Sequence, residues 1–288
     1  NQLNYGHHVG LRTAKIRKFF KPAILCGEIF DHSKVFDPHN LIFRLFSTIS
    51  LAWSGFFCIT LLALIITIMA KEIRFSLVYR DMWQSSGRYV PTVSQLKEVA
   101  PAIIDMGCFD RVETNGGAFE QVNLLFGENP NRAVREWTAP FHKAGIQTHM
   151  LERGLNALRM NPVPADVREL MYKVKKAQGT DISRSFCGLN DHRNLRLSVE
   201  YAKKGGMISQ VALSITNSPV HTVEYYMGVV DKVVEYGCDE ICLKDMAGIG
   251  RPTFLAELTS QIKKKYPHIK VQYHGHSGPG FSPASMLE

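Results

Sequence analysis

Short apolar runs alternate with amphipathic segments from about residue 72 to the end of the chain. The apolar runs are short enough for buried strands, and the segments between them repeat apolar residues with the 3.6-residue period of a helix. Strands are predicted at 73–79, 109–113, 146–151, 182–187, 208–215, 238–245 and 269–276. Helices are predicted at 93–106, 131–143, 165–176, 195–204, 223–236 and 253–266. Strand starts recur about every thirty residues, which is the spacing of a repeated strand–helix unit.

Seven consecutive strand–helix units predict an α/β fold, a TIM (β/α)₈ barrel truncated after strand seven. A doubly wound sheet is less consistent with the sequence, because no Gly-x-Gly-x-x-Gly follows the first strand. We expect the barrel domain to cover residues 69–288 and to be incomplete at its C-terminus. No eighth strand follows strand seven, and such barrels usually need about 250 residues.

Residues 1–68 do not share this pattern. No charged residue occurs in the stretch 45–70, which is long enough to be a transmembrane span. However, the first methionine is Met69, and Met69-Ala70-Lys71-Glu72 resembles an ordinary start before a strand. We therefore interpret residues 1–68 as an upstream, non-native extension and doubt that the protein contacts a membrane.

Composition narrows the class of protein. The chain is 45% hydrophobic and 21% charged, as in globular proteins. Its formal net charge is +8, half of it in residues 1–70, and no arginine-rich tract occurs. This pattern argues against a nucleic-acid partner. Six cysteines occur without a Cys-x-x-Cys pair, which favours reduced thiols in the cytoplasm.

Candidate chemistry lies where the predicted strands end. His274 and His276 are two residues apart on one strand, so their side chains point to the same face. Strands one and six end beside Asp81 and Lys244. The carboxyl ends of barrel strands meet at one face, where the active sites of such barrels are built. Two imidazoles and a carboxylate suit a divalent transition metal such as Zn, Mn or Co. A lysine ammonium cannot ligate a cation, but a lysine carboxylated on its amine becomes an anionic oxygen ligand.

Six short motifs, in this order along residues 69–288, resemble those of biotin-dependent carboxyltransferase domains. Similar domains occur in the oxaloacetate decarboxylase α subunit, the transcarboxylase 5S subunit and pyruvate carboxylase, within a wider superfamily of HMG-CoA lyase-like barrels. The six motifs are Arg80–Ser85, Met150–Asn156, Leu189–Asp191, Ser218–Thr222, Cys242–Gly248 and His274–His276.

The resemblance implies a metal held by Asp81, carboxylated Lys244, His274 and His276. It also implies that the catalytic residues Lys244, Gln84 and Arg153 act on pyruvate or oxaloacetate, with Gln84 and Arg153 binding the 2-oxo acid. The expected reaction is carboxyl transfer between this acid and biotin, or decarboxylation in reverse. Biotin would be carried on another domain or subunit, and the complete protein would be a homo-oligomer.

Two positions depart from the family pattern, and other interpretations stay open. Trp83 stands where histidine is usual, and Cys187 where aspartate is usual. Arg153 could instead pair with Glu113 or Glu152 as structure at the rim of the barrel. One alternative function is a metal-dependent lyase or acyl-CoA condensing enzyme of the same superfamily. Another is a non-catalytic, membrane-anchored barrel that serves as a binding module.

Overall fold

Seven strands form one sheet in this protein, which is described here from a computed structural model covering residues 73–87 and 89–288. Every neighbouring pair is parallel, and the strands follow chain order from β1 to β7. The strands are β1 Phe75–Leu77, β2 Phe109–Gly116, β3 Gln147–Glu152, β4 Ile182–Phe186, β5 Ile208–Ser214, β6 Glu240–Asp245 and β7 Lys270–Gly275. A doubly wound sheet reverses its strand order, so that alternative is wrong.

At least one helix lies between each strand and the next along the chain. They are α1 Tyr79–Gln84, α2 Val93–Asp105, α3 Gly117–Leu125, α4 Pro130–Lys143, α5 Ala165–Ala177, α6 Arg196–Lys204, α7 Val223–Glu235, α8 Pro252–Lys265 and α9 Ser282–Leu287. Short 3₁₀ turns occur at Gly154–Asn156 and His192–Asn194. Within the described ranges, no helix combines the length and apolar composition needed to cross a lipid bilayer. The apparent span at 45–70 and the predicted extension at 1–68 lie outside those ranges.

The sheet curls strongly. On a flat sheet, β2 and β6 would be about 19 Å apart, because neighbouring strands are spaced by 4.7 to 4.9 Å. Instead, Arg111 on β2 donates two hydrogen bonds to Glu240 on β6, at 2.7 and 2.8 Å. The inner face of the sheet therefore closes on itself, and its side chains meet across the interior.

Apolar side chains on the outer face pack against the helices in two main groups. The first apolar cluster joins β2 to α1, α2, α3 and α4 and includes Trp83, Leu96, Val112, Trp137 and Phe141. The second apolar cluster joins β5 and β6 to α6, α7 and α8 and includes Val199, Leu213, Tyr226, Leu243 and Leu258. Alternation along each strand explains the division, since neighbouring residues face opposite sides of the sheet.

Two predicted elements need correction. The first strand is shorter than 73–79, because Tyr79 already begins α1, whose Arg80 and Trp83 are buried against the sheet. Helix α3 is not among the predicted helices, since the pair Gly116-Gly117 at its start has the composition of a loop. Its buried Phe119 and Asn123 hold it in place. The other predicted boundaries are confirmed to within three residues.

Candidate metal and substrate site

The four predicted metal ligands lie together at the carboxyl ends of β1, β6 and β7. Asp81 Oδ2 is 3.2 Å from His276 Nε2 and 3.9 Å from His274 Nε2. Lys244 Nζ is 3.8 Å from the same carboxylate oxygen and 3.3 Å from His274 Nδ1. Asp81, His274 and His276 each offer a ligand atom, and these atoms lie within 4.8 Å of one another. The donor set is thus compact enough for one ion.

Burial favours the uncharged form of two of these groups. Lys244 is 3% exposed, and burial lowers the pKa of its amine against the opposing effects of Glu113 and Asp81. Burial, helped by Lys244 and the Arg184 guanidinium, lowers the pKa of His274 to about 2. A neutral imidazole is the form that ligates a metal. A neutral amine is the form that reacts with CO₂ to give a carbamate.

A buried network of charged side chains inside the barrel contacts the metal cluster formed by Asp81, Lys244, His274 and His276. Arg80 donates to Glu113 Oε1 from Nε at 2.6 Å, and Arg184 Nη1 lies 3.4 Å from Glu113 Oε2. Arg184 also donates to His274 Nδ1 at 3.0 Å. Burial alone would raise the pKa of Glu113, but Arg80, His149 and Arg184 prevail and lower it, so the carboxylate stays ionised. The one local signal for Arg184 is a lone arginine inside a short strand, and sequence reasoning did not assign it a role.

The end of β7 is fixed through the backbone of His276. Its N–H donates to the carbonyl oxygen of Asp245 at 3.0 Å, and its carbonyl accepts from Ser282 Oγ at 2.6 Å. Gly248 has φ of +67° and packs against the same carbonyl so closely that any Cβ would collide with it. The Asp245 carboxylate accepts from Ile249 N and Gly250 N, so it orders the loop after β6 and faces away from the cluster.

Gln84 lies one turn after Asp81 on the same face of α1. Its Nε2 donates to Asp81 Oδ1 at 3.1 Å, and its Oε1 accepts from Arg80 Nη1 at 2.5 Å. The amide therefore orients the carboxylate of Asp81. It also links the metal cluster to Arg80.

Arg153 follows β3 and lies over Gly117, where a Cβ would come within 2.5 Å of its Nη1. That nitrogen donates to the carbonyl of Arg159 at 3.1 Å. Burial, together with Arg80, lowers the pKa of Arg153. Glu113 and Glu152 are engaged elsewhere, by Arg80 and by Tyr172. Pairing of Arg153 with either carboxylate is therefore wrong. A guanidinium without a carboxylate partner is suited to bind an anion.

Trp83 and Cys187, the two residues that differ from the family pattern, do not contact the metal cluster. Trp83 is 2% exposed, packs against Phe119 in a tilted arrangement with 4.5 Å between ring centroids, and donates to the carbonyl of Pro91 at 2.8 Å. Its ring thus fills the first apolar cluster. Cys187 Sγ accepts from Asn194 at 3.4 Å, and its carbonyl accepts from Ser214. Both side chains serve packing and loop structure.

Comparison with known proteins identifies several relatives of this chain. Over 210 residues the chain is 30% identical to a pyruvate carboxylase component of Methanocaldococcus jannaschii, a match that covers 73% of this chain and 36% of the relative. The chain is a homologue of the pyruvate carboxylases. Human mitochondrial pyruvate carboxylase is also 30% identical, over 73% of this chain but 18% of its own length. The 5S subunit of methylmalonyl-CoA carboxyltransferase from Propionibacterium freudenreichii is 30% identical, with 74% and 42% covered. The chain thus spans less than half the length of each of these relatives.

Solved structures share the fold. The carboxyl transferase domain of Rhizobium etli pyruvate carboxylase superposes on this carboxylase homologue with a TM-score of 0.67 at 21% identity, covering 75% of this chain and 37% of that one. The same domain solved with pyruvate and biocytin gives a TM-score of 0.68. No protein-family model matches the chain. At this identity the structural likeness supports the fold alone.

Proposed function

We propose that this chain is a metal-dependent carboxyltransferase that moves a carboxyl group between biotin and pyruvate or oxaloacetate. One observation carries the proposal. Asp81, Lys244, His274 and His276 converge on one small volume in a homologue of the pyruvate carboxylases. The direction of transfer, towards oxaloacetate or towards decarboxylation, depends on the partner that delivers or removes the carboxyl group.

The donor set fits a divalent ion such as Zn, Mn or Co. Asp81, His274 and His276 would hold it, and a carbamate on Lys244 would add a fourth, anionic oxygen ligand. To form that carbamate, the uncharged amine adds to the carbon of CO₂ and loses a proton. Burial lowers the pKa of Lys244 and so favours the reactive amine. An ion bound here would polarise the carbonyl of a 2-oxo acid and make its methyl group more acidic.

The substrate would lie between this cluster and Arg153. A guanidinium fork suits the carboxylate of a 2-oxo acid, and Arg153 offers one free of acidic partners among its described contacts. The amide of Gln84, already next to Asp81, is within reach of a carbonyl bound at the cluster. Arg80 contacts Gln84 and lowers the pKa of Arg153, so it would influence both substrate-binding side chains.

The remaining assignments follow from the same proposal. A carrier domain or subunit would bring biotin to the open mouth of the site. We propose that residues 69–288 are the barrel domain and that the protein acts as a cytoplasmic homo-oligomer. Nucleic acid has no part in this reaction.

The decisive experiment reads the metal and the lysine together. Crystals of the full chain would be grown with bicarbonate and measured by metal-edge anomalous diffraction. The maps should show an ion bound by Asp81, His274 and His276, and extra density on the amine of Lys244. The full chain should also catalyse oxaloacetate decarboxylation that depends on free biotin. Lys244→Ala should abolish this activity, whereas Lys203→Ala at a surface ion pair should not.

The alternatives give different results. A bound ion with a bare Lys244 and no biotin dependence would favour a lyase or a condensing enzyme. A chain that binds no divalent ion would leave only a binding module and would refute the proposal.

A further inference from the structure

A buried carboxyl that the proposed reaction does not use lies directly beside Arg153. Glu152 ends β3, is 0% exposed, and points to the outer face of the sheet, towards α5. We propose that Glu152 and Tyr172 form a positioning pair that sets the orientation of Arg153. This inference rests on the proposed function, because it takes Arg153 as the group that binds the substrate carboxylate.

The pair is built into the layer between sheet and helices. Tyr172 on α5 donates its hydroxyl to Glu152 Oε1 at 2.9 Å, and the tyrosine is also 0% exposed. Burial raises the pKa of Glu152, and burial together with the neighbouring Glu152 raises that of Tyr172. Arg168, one turn earlier on α5, donates to Ser198 Oγ on α6 at 2.9 Å. Glu152 Oε2 has no hydrogen-bond partner among the described residues, so the hydrogen bond from Tyr172 is the contact that fixes the orientation of this buried carboxyl.

The strand end passes this arrangement on to Arg153. Glu152 is the last residue of β3, so fixing its side chain towards α5 also fixes the backbone from which Arg153 continues, with the Arg153 side chain on Gly117. Beyond Arg153 the chain turns back at once, through Gly154 at φ +46° and Ala157 at φ +50°. The turn is closed by Arg153 N donating to the carbonyl of Ala157 at 2.9 Å. The backbone of Arg153 is thus held between the buried pair and this turn.

The guanidinium itself has little else to hold it. Its described hydrogen bond goes to the backbone carbonyl of Arg159, and it lies over Gly117, which has no side chain to brace it. Loss of the Glu152–Tyr172 hydrogen bond would therefore loosen Arg153 and weaken substrate binding. The metal cluster would be unaffected, because its ligands come from α1 and from the β6–β7 end of the sheet.

The test compares substrate binding with metal content in the full chain. Tyr172→Phe removes the donor at constant shape, Glu152→Gln keeps an acceptor, and Glu152→Ala removes it. Tyr201→Phe, on the neighbouring α6, is the matched control. Calorimetric titration with oxamate and with pyruvate gives the dissociation constants, and metal analysis gives the occupancy. We expect Tyr172→Phe to weaken binding by about twofold to tenfold, the range that one net hydrogen bond supplies. Glu152→Gln should stay within about twofold of the parent protein.

The outcomes are separable. Weaker binding in Tyr172→Phe with unchanged metal content supports the positioning pair. Unchanged binding, or an equal loss of metal, overturns it. If the parent protein binds neither oxamate nor pyruvate, the proposed function fails, and hydrogen exchange of the peptide covering 153–157 decides this inference alone. Faster exchange there in Tyr172→Phe than in Tyr201→Phe would support it, and equal exchange would overturn it.

Discussion

Replacing Glu113 with glutamine should cost much of the stability of this protein. The carboxylate is 0% exposed and lies between two guanidinium groups, at 2.6 Å from Arg80 Nε and 3.4 Å from Arg184 Nη1. Both arginines are also buried, at 2% and 0% exposure. Glu113→Gln keeps the shape but leaves two buried cations without their shared anion.

Removing one partner of a buried ion pair costs about 3 to 5 kcal/mol. We expect about 3 kcal/mol, the lower end of this range, because Arg80 also faces Asp81 at 3.4 Å and Arg184 also donates to Gln210. Native domains are stable by about 5 to 15 kcal/mol, so the change would be large.

Urea unfolding followed by tryptophan fluorescence measures this loss, since Trp83 and Trp137 lie in the first apolar cluster. The matched control is Glu169→Gln, whose carboxylate pairs with Lys173 and Lys204 at the surface and should change little. A loss below about 1 kcal/mol for Glu113→Gln, the size of a surface pair, would refute the reasoning.

Three further predictions concern pH, packing and the loop after β6. Folding lowers the pKa of Glu113, so the stability that its carboxylate contributes is complete above about pH 4.5 and is lost as the pH falls below that value. Urea unfolding at pH 7 and at pH 3 should therefore show a smaller difference in unfolding free energy between the parent protein and Glu113→Gln at pH 3. Trp83→Ala should lower the free energy of unfolding by about 3 to 5 kcal/mol, measured in the same way, because it empties a buried site. Gly248→Ala should weaken divalent metal binding by about tenfold in calorimetry through displacement of His276, whereas Gly206→Ala, with a similar φ and open space, should not.

Much of the fold could be predicted from the sequence because local pattern and tertiary environment agree. Strands such as β5 contain short apolar runs, and helices such as α7 begin at a capping residue, here Thr222. Helices α1 and α3 escaped prediction for the opposite reason. Val78 and Tyr79 favour strands, and Gly116-Gly117 favours a loop, yet burial of Trp83 and Phe119 stabilises helices at both places.

The candidate site, like the fold, has one part that could be predicted from the sequence and one part that could not. The convergence of Asp81, Lys244, His274 and His276 follows from a rule about parallel strands, so position in the sequence was enough to predict it. The partners of Glu113 were not predictable, since Arg80 and Arg184 are 33 and 71 residues away. Which charges meet across the interior depends on how strongly the sheet curls, and local pattern carries no information about that.

The separation of the two apolar clusters has a consequence for folding. Each cluster consists mostly of contacts between neighbouring elements, so each half of the chain can collapse early on its own. Joining the halves requires contacts such as Arg111 to Glu240, which are 129 residues apart and carry charges that must leave water. We expect this docking of charged surfaces to be the slow step. Asp81 belongs to the first half and the two histidines to the second. An ion bound between them would therefore join the two halves only after they have docked.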